Sequence, residues 1–203
     1  MNTNTLLSSK FFKSLGSLLL IATLIGCSES AIKFNNIDIT GSKAFGTDFS
    51  LTDHNGQQRQ LSDFKGKLLV MFYGFTQCPD VCPTTMTEMQ GVMTLLGKDA
   101  DRVQVVFVTV DPERDTQELL SQYVPAFDSR FLGMRPVSME DLEKVIKDFK
   151  IFYKKVPGKS ATSYTIDHTA GSYVFDTKGT LRLYLKHQQG PQPIAEDLVK
   201  LLK

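Results

Sequence analysis

Two cysteines lie four positions apart in the motif Cys78-Pro79-Asp80-Val81-Cys82-Pro83. Closing so small a ring as a disulfide would stabilise a fold by only about 2 kcal/mol, whereas closing a hundred-residue loop gives about 4.7 kcal/mol. The spacing therefore favours a chemical role over a structural one. Two thiolates can hold one metal ion at about 2.3 Å, and they are soft ligands that select Cu(I). The prolines favour a non-helical loop, in which the same pair could also form a reversible disulfide.

The elements on either side of the motif predict how it is held. Lys67–Phe75 is a nearly continuous apolar run, typical of a buried strand, and it ends just before Cys78. A helix is predicted over Thr84–Leu96, behind Pro83 as its first residue. Cys82, directly before this helix, should gain thiolate character from the helix dipole. The apolar stripe of the helix predicts core packing rather than thioether ligation for its methionines, Met86, Met89 and Met93.

Strands and helices alternate along the rest of the chain. Val103–Val110 is a second apolar strand, and Asp115 with Glu118 resembles a capping box that opens a helix. Turn residues at 54–56 and 178–179 predict two hairpins. Helical spacing is found in two further sets, Leu142, Val145, Ile146, Phe149 and Phe152, then Ile194, Leu198, Leu201 and Leu202. This order predicts an α/β protein of thioredoxin-like fold, with a central mixed sheet flanked by helices and an N-terminal hairpin extension.

Three histidines could add a nitrogen ligand, which Cu(II) needs in addition to sulfur. His54 lies in a polar turn and His187 beside two glutamines, so both are expected to be solvent-exposed. His168 directly precedes a predicted strand of the last hairpin, and in a thioredoxin-like fold that loop approaches the dithiol. We therefore predict that His168 is the third ligand.

The N-terminus has the pattern of a targeting segment. Lys10 and Lys13 precede an apolar run, Leu15–Ile25, which is too short for the ~20 apolar residues of a membrane span. The sequence Leu24-Ile25-Gly26-Cys27 resembles the cleavage box of bacterial lipoproteins. We expect a signal peptide at 1–26, a lipidated Cys27 and a tether at 27–43; the alternative is a buried helix with a packing thiol. With Cys27 lipidated, the motif pair are the only remaining thiols.

Length and charge limit the remaining possibilities. The chain has 203 residues, enough for one domain at 44–203 after the tether. Its 23 basic and 22 acidic side chains form no cationic run, which argues against nucleic-acid binding.

Three segments together resemble the Sco/SenC family of cytochrome oxidase assembly proteins. They are GFTQCPDVCPTTM (74–86), TVDPERDT (109–116) and YTIDHTAGSYVFDTKG (164–179), and the resemblance covers roughly Phe45–Leu202. It implies a thioredoxin-like fold, membrane tethering, and copper bound by Cys78, Cys82 and His168. The second segment also matches at Asp111, Pro112 and Asp115, although a turn and a helix cap would equally explain these residues. Gln117 and the pair 170–171 depart from the common family pattern without affecting the ligands.

The resemblance implies a copper carrier that helps assemble the CuA centre of a respiratory oxidase. The partner would be the oxidase copper subunit or another copper protein, and the carrier would be a monomer, lipid-anchored on the extracytoplasmic side of a bacterial membrane. The alternative is a thiol–disulfide oxidoreductase that reduces the copper-ligand cysteines of a partner through Cys78 and Cys82. A thiol peroxidase fits less well, since two cysteines with a distal histidine suit a closed metal site. Copper retention requires His168, whereas dithiol exchange does not.

Overall fold

The computed structural model describes residues 32–46, 48–160 and 163–203. The expected signal peptide at 1–26 and the expected lipidation site, Cys27, lie outside these residues. In the described part of the chain, none of the helices has the length and apolar composition to cross a membrane.

Ten strands and four α-helices form in the described residues, together with 3₁₀ turns at Leu61–Phe64 and Gly97–Arg102. In chain order they are β1 (Ile37–Asp38), β2 (Ser50–Asp53), β3 (Gln58–Gln60), β4 (Leu68–Gly74), α1 (Val81–Leu96), β5 (Val103–Thr109), α2 (Gln117–Tyr123), β6 (Leu132–Arg135), α3 (Met139–Asp148), β7 (Tyr153–Pro157), β8 (Tyr164–His168), β9 (Ser172–Phe175), β10 (Leu181–Leu185) and α4 (Pro191–Leu201).

The central sheet is mixed, in the order β1-β10-β9-β4-β5-β6-β2-β3. The strands β4, β5 and β6 are parallel neighbours, and the remaining pairs are antiparallel. Every residue of β4 is buried, because helices cover both faces of a parallel sheet centre and leave no solvated face to require polar side chains. The predicted α/β architecture is confirmed, with the N-terminal hairpin β2–β3 added at one edge.

A second sheet consists only of the hairpin β7–β8. It was not expected from the sequence, which placed His168 in a loop; the structure makes His168 the last residue of β8. The strand β7 carries adjacent lysines, Lys154 and Lys155, and buries no residue fully. Apolar patterning therefore could not identify it.

The helix boundaries correct three details of the sequence prediction. The helix α1 begins at Val81, so Cys82 lies in its first turn; Pro83 is tolerated there because the first N–H groups of a helix have no intrahelical partner. The N-cap of α2 is Thr116, whose side chain accepts from Leu119 N, so the predicted cap at Asp115 is wrong. The helix α3 ends at Asp148, and Phe152 lies outside it with 59% of its surface exposed.

The folded domain extends into the segment assigned to the tether. Asp197, fully buried on α4, accepts hydrogen bonds from the backbone N–H groups of Asn35 and Asn36 at 2.8–3.0 Å. Strand β1 then pairs with β10. The domain boundary therefore lies before Ala44, because these backbone groups find partners on the domain.

Candidate metal centre

The two cysteines meet where β4 ends and α1 begins. Cys78 lies in a turn closed by its N–H, which donates to Phe75 O at 3.2 Å. The N–H of Cys82 in turn donates to Cys78 Sγ at 3.4 Å, so the backbone of the first helical turn faces that sulfur. Both are free thiols, Cys78 half-buried and Cys82 buried. The motif thus presents one accessible sulfur and one enclosed sulfur.

His168 brings a nitrogen to the same point from the second sheet. Its Nε2 lies 3.7 Å from Cys82 Sγ, and its Nδ1 is 2.9 Å from Thr169 O. Because a carbonyl can only accept, Nδ1 carries the proton and the Nε2 lone pair is left for a ligand, as in most protein metal sites. The rings of Phe72 and Phe75 meet the imidazole edge-on, at centroid distances of 6.3 and 5.8 Å. These contacts fix the ring plane.

The three donor atoms form a set that a soft metal ion would fit. One ligand atom each from Cys78, Cys82 and His168 lies within 4.8 Å of the others. Metal–sulfur bonds of about 2.3 Å and metal–nitrogen bonds of about 2.0 Å, spread about 120° apart around one ion, place the donor atoms about 3.7–4.0 Å from one another. The longest separation would therefore have to shorten by about 1 Å at most. Two sulfurs and an imidazole nitrogen suit copper in either oxidation state.

The protonation states of the two thiols are pushed in opposite directions. A hydrogen bond from the Cys82 thiol lowers the pKa of Cys78 to about 3, against the opposing effect of burial, with further help from backbone N–H groups. The hydrogen bond to Cys78, followed by burial, raises the pKa of Cys82, so the predicted thiolate character of Cys82 is wrong and belongs to Cys78 instead. The metal-free site at neutral pH therefore holds a Cys78 thiolate beside a Cys82 thiol.

Two glycines in the segments that resemble the family leave room for neighbouring side chains. A Cβ on Gly74 would lie 2.8 Å from Cys82 Sγ, and one on Gly171 would lie 2.1 Å from Tyr184 Cζ. Gly171 follows the histidine segment and lets the chain pass close over the Tyr184 ring. The motif spacing contains no signal for either requirement, because spacing alone does not show which side chains a Cβ would meet.

The other two histidines lie outside the metal centre. Both are half-buried and hydrogen-bonded, so the prediction that they are solvent-exposed is wrong. His54 Nδ1 accepts from the N–H of Gly133 at 3.0 Å, and burial lowers the pKa of this imidazole. His187 is half-buried, with Nδ1 2.9 Å from Thr85 Oγ1. Among the described residues, only His168 joins the cysteines in a group able to hold a metal. The methionines of α1 are buried in the core, as predicted.

Asp115 holds the cysteine loop in place through hydrogen bonds from Thr76. The carboxylate is fully buried and accepts from the N–H and hydroxyl of Thr76 at 3.0 and 2.6 Å, and from the Thr109 hydroxyl at 2.6 Å. Burial raises the pKa of Asp115 in spite of these bonds. The residue therefore ties the end of β5 to the loop that carries Cys78.

Comparisons with known proteins agree with this arrangement. The sequence model of the SCO1/SenC family matches residues 37–203. A SCO2-like protein of Rickettsia felis is 36% identical over 157 residues, 75% of either chain. The structure of Bradyrhizobium japonicum ScoI with copper bound is 40% identical, covering 78% of this chain and 100% of that one with a TM-score of 0.72.

The solution structures of apo Sco1 from Thermus thermophilus are similar over a larger share of the chain. They show 35% identity over 85% of this chain and 99% of that one, also with a TM-score of 0.72. These likenesses confirm the predicted thioredoxin-like α/β fold. Since the family match spans most of the sequence, from β1 to the last residue, the chain belongs to the SCO1/SenC family.

Proposed function

We propose that this protein binds copper through Cys78, Cys82 and His168 and delivers it to a copper protein during assembly of the CuA centre of a respiratory oxidase. The observation that carries the proposal is the convergence of two sulfurs and one nitrogen within 4.8 Å. The family comprises cytochrome c oxidase assembly proteins, and the Bradyrhizobium relative is described with copper bound. Copper is here the cargo of the protein.

The unequal exposure of the ligands suits a carrier. Cys82 is buried against the core, whereas Cys78 is half-buried at the surface. An incoming thiolate from a partner can approach the metal on the Cys78 side, replace that ligand, and draw the ion away through a shared intermediate. A fully enclosed site would retain the ion instead.

Thiol–disulfide exchange is a second candidate, favoured by the Cys78 thiolate. In this reaction Cys78 Sγ attacks a partner disulfide, which forms a mixed disulfide and releases one partner thiolate. Cys82 then loses its proton and attacks Cys78 Sγ. The Cys78–Cys82 disulfide forms, the second partner thiolate leaves, and two electrons have passed to the partner.

The two functions can be separated with a purified CuA domain as the acceptor. Copper-loaded protein is mixed with the reduced, copper-free domain, and metal-free reduced protein is mixed with the domain in its disulfide form. Carriage predicts CuA absorption in the first mixture, and loss of Cu(II) transfer in His168→Ala but not in His187→Ala. No copper transfer, together with rapid reduction in the second mixture that His168→Ala leaves intact, would replace carriage by thiol reduction.

We further propose that residues 1–26 are a signal peptide and that a lipidated Cys27 holds a monomeric domain on the extracytoplasmic side of a bacterial membrane. The support is the Leu24–Cys27 box after a basic, apolar N-terminus. Because contacts with the domain are already present at Lys33, the tether would be correspondingly short.

A further inference from the structure

The third ligand is carried by an element outside the central sheet. His168 ends β8, which pairs only with β7 in a two-stranded sheet. The backbone pairing of the central strands therefore does not hold this imidazole in place. Its distance from the dithiol depends on the side-chain contacts that tie the hairpin to the rest of the domain.

Arg114, in the loop between β5 and α2, makes a concentrated set of such contacts. Its Nη1 donates to Tyr164 O at 2.9 Å and to Gln77 Oε1 at 3.0 Å. Its Nε donates to the buried carboxylate of Asp111. The guanidinium also stacks on the Tyr164 ring, with Cζ 3.6 Å from the centroid.

These partners belong to three different segments of the site. Gln77 is the residue before Cys78, Tyr164 begins the strand that His168 ends, and Asp111 follows β5. The Tyr164 hydroxyl donates to Asp111 Oδ1 at 2.7 Å, which closes the network. One planar guanidinium thus joins the cysteine loop to the histidine strand.

The residue type matters because one guanidinium makes all of these contacts at once. Arginine presents five N–H groups in a fixed plane and stacks on aromatic rings, whereas lysine has a compact ammonium on a flexible stem. Lysine could still pair with Asp111. It could not at the same time cover the Tyr164 ring and donate to Tyr164 O and Gln77.

A shift at Tyr164 would reach His168 through the strand. The two residues are the ends of a strand that is paired with β7 throughout, from Tyr153↔His168 to Pro157↔Tyr164. A paired strand moves largely as one unit, so a tilt at one end displaces the other. The Cys78–Cys82 pair would stay in place without the Gln77 contact, because Cys82 lies in the first turn of α1 and the Cys78 loop is also held by the bonds of Thr76 to Asp115.

We propose that Arg114 is a positioning residue that sets the approach of the His168 imidazole to the dithiol, and thereby the preference of the site for Cu(II). The inference rests on the proposed copper site. Two thiolates hold Cu(I) without the imidazole, whereas Cu(II) requires the nitrogen. Loosening the Arg114 contacts should therefore weaken the cupric complex selectively.

The test compares Arg114→Lys with a matched control, Arg182→Lys. Arg182 also pairs with a part-buried carboxylate, Asp176, at 3.1 Å, and donates to a hydroxyl, Thr40 Oγ1, at 2.9 Å. Asp176 follows Phe175, which pairs with Leu69 near the start of β4, at the end of the sheet away from the cysteines. Both variants keep a cation beside the carboxylate, which favours folding.

Arg114→Lys is expected to weaken Cu(II) binding about 10- to 100-fold, the usual effect of removing support from a metal ligand, with Cu(I) affinity close to that of the unchanged protein. Nitrogen hyperfine coupling in the Cu(II) electron paramagnetic resonance spectrum should decrease. In the metal-free protein, amide exchange of β7 and β8 should become faster. Arg182→Lys should change none of these.

A double variant separates positioning from general stability. In a His168→Ala background, Arg114→Lys should weaken Cu(II) binding no further, because its effect passes through the imidazole. Equal losses of Cu(I) and Cu(II) affinity, additive losses in the double variant, or unchanged Cu(II) affinity would each overturn the inference. Failure of the unchanged protein to bind either ion would instead overturn the proposed function.

Discussion

Replacing Gly74 with alanine should disturb the dithiol directly. The new Cβ would lie 2.8 Å from Cys82 Sγ and 2.9 Å from ring carbons of Phe72 and Phe107. Non-bonded carbon contacts are favourable at about 3.5–4.0 Å, so each neighbour must retreat by roughly 0.6 Å or more. The rings lie in a packed core, and the sulfur at the start of α1 is therefore the group expected to move.

The energetic cost follows from the overpacking. Adding a methyl group to a filled core costs about 1–3 kcal/mol of unfolding free energy. For a domain of this size, each 1 kcal/mol lowers the melting temperature by about 2–4 °C. Thermal unfolding of the metal-free protein measures this loss. Titration with Cu(I) measures the effect of displacing the Cys82 sulfur, and the Cu(I) complex of Gly74→Ala should be weaker than that of the unchanged protein.

Gly91→Ala is the control, because it adds the same methyl group within α1 but away from the cysteines. Its Cβ would lie 3.2 Å from Pro191, away from the sulfurs, so Cu(I) affinity should not change. The argument about Gly74 would be refuted if Gly74→Ala melted at the temperature of the unchanged protein and bound Cu(I) equally well.

Three further predictions concern thiol reactivity, the N-terminal contacts and the anchor. Because the pKa of Cys78 is lowered to about 3, its alkylation rate in the metal-free protein should stay nearly constant between about pH 5 and 8. Cys82, whose pKa is raised, should not react. A tenfold fall in the alkylation rate per pH unit below about pH 8 would contradict this prediction. Burial alone would raise the pKa of Asp197, but hydrogen bonds from Lys200 and from residues 35 and 36 lower it. The contribution of Asp197 to the stability of the fold is therefore present above its pKa in the unfolded chain, about 4, and is lost as the pH falls through its pKa in the folded protein. Asp197→Ala should accordingly cost about 4 kcal/mol at pH 7, for four donors worth roughly 1 kcal/mol each, which is much more than Asp101→Ala should cost at an exposed site. Equal melting temperatures of the two variants would count against it. Cys27→Ala should release the protein from membranes or block its processing, and unchanged membrane association with normal cleavage would rule out lipidation.

The strands that could be predicted from sequence are those buried on both faces. Val103–Val110 and the run ending at Phe75 are continuous apolar segments because nearly all of their residues are buried in the structure. The strand β7 has no such pattern, since none of its residues is fully buried. Its existence follows from pairing with β8, which no local window records.

The same distinction applies to the site. Cys78, Cys82 and His168 could be selected from the sequence because ligand types are recognisable and the motifs resemble a known family. The roles of Gly74, Gly171 and Arg114 could not be predicted, because they depend on which side chains the fold brings against them, such as Tyr184 for Gly171. Asp115 was assigned to a helix cap by its spacing, whereas the adjacent Thr116 caps α2 and the carboxylate faces Thr76.

The most direct measurement is a titration of the reduced protein with Cu(I) and with Cu(II), repeated for single ligand variants. A hydroxyl stays protonated near pH 7 and is a hard, weak ligand, so Cys78→Ser and Cys82→Ser should each abolish tight Cu(I) binding. His168→Ala should retain Cu(I) and lose most of its Cu(II) affinity, whereas His54→Ala and His187→Ala should bind one equivalent of either ion like the unchanged protein. Intact Cu(II) affinity in His168→Ala, or tight Cu(I) binding that survives both serine variants, would contradict the three-ligand copper centre.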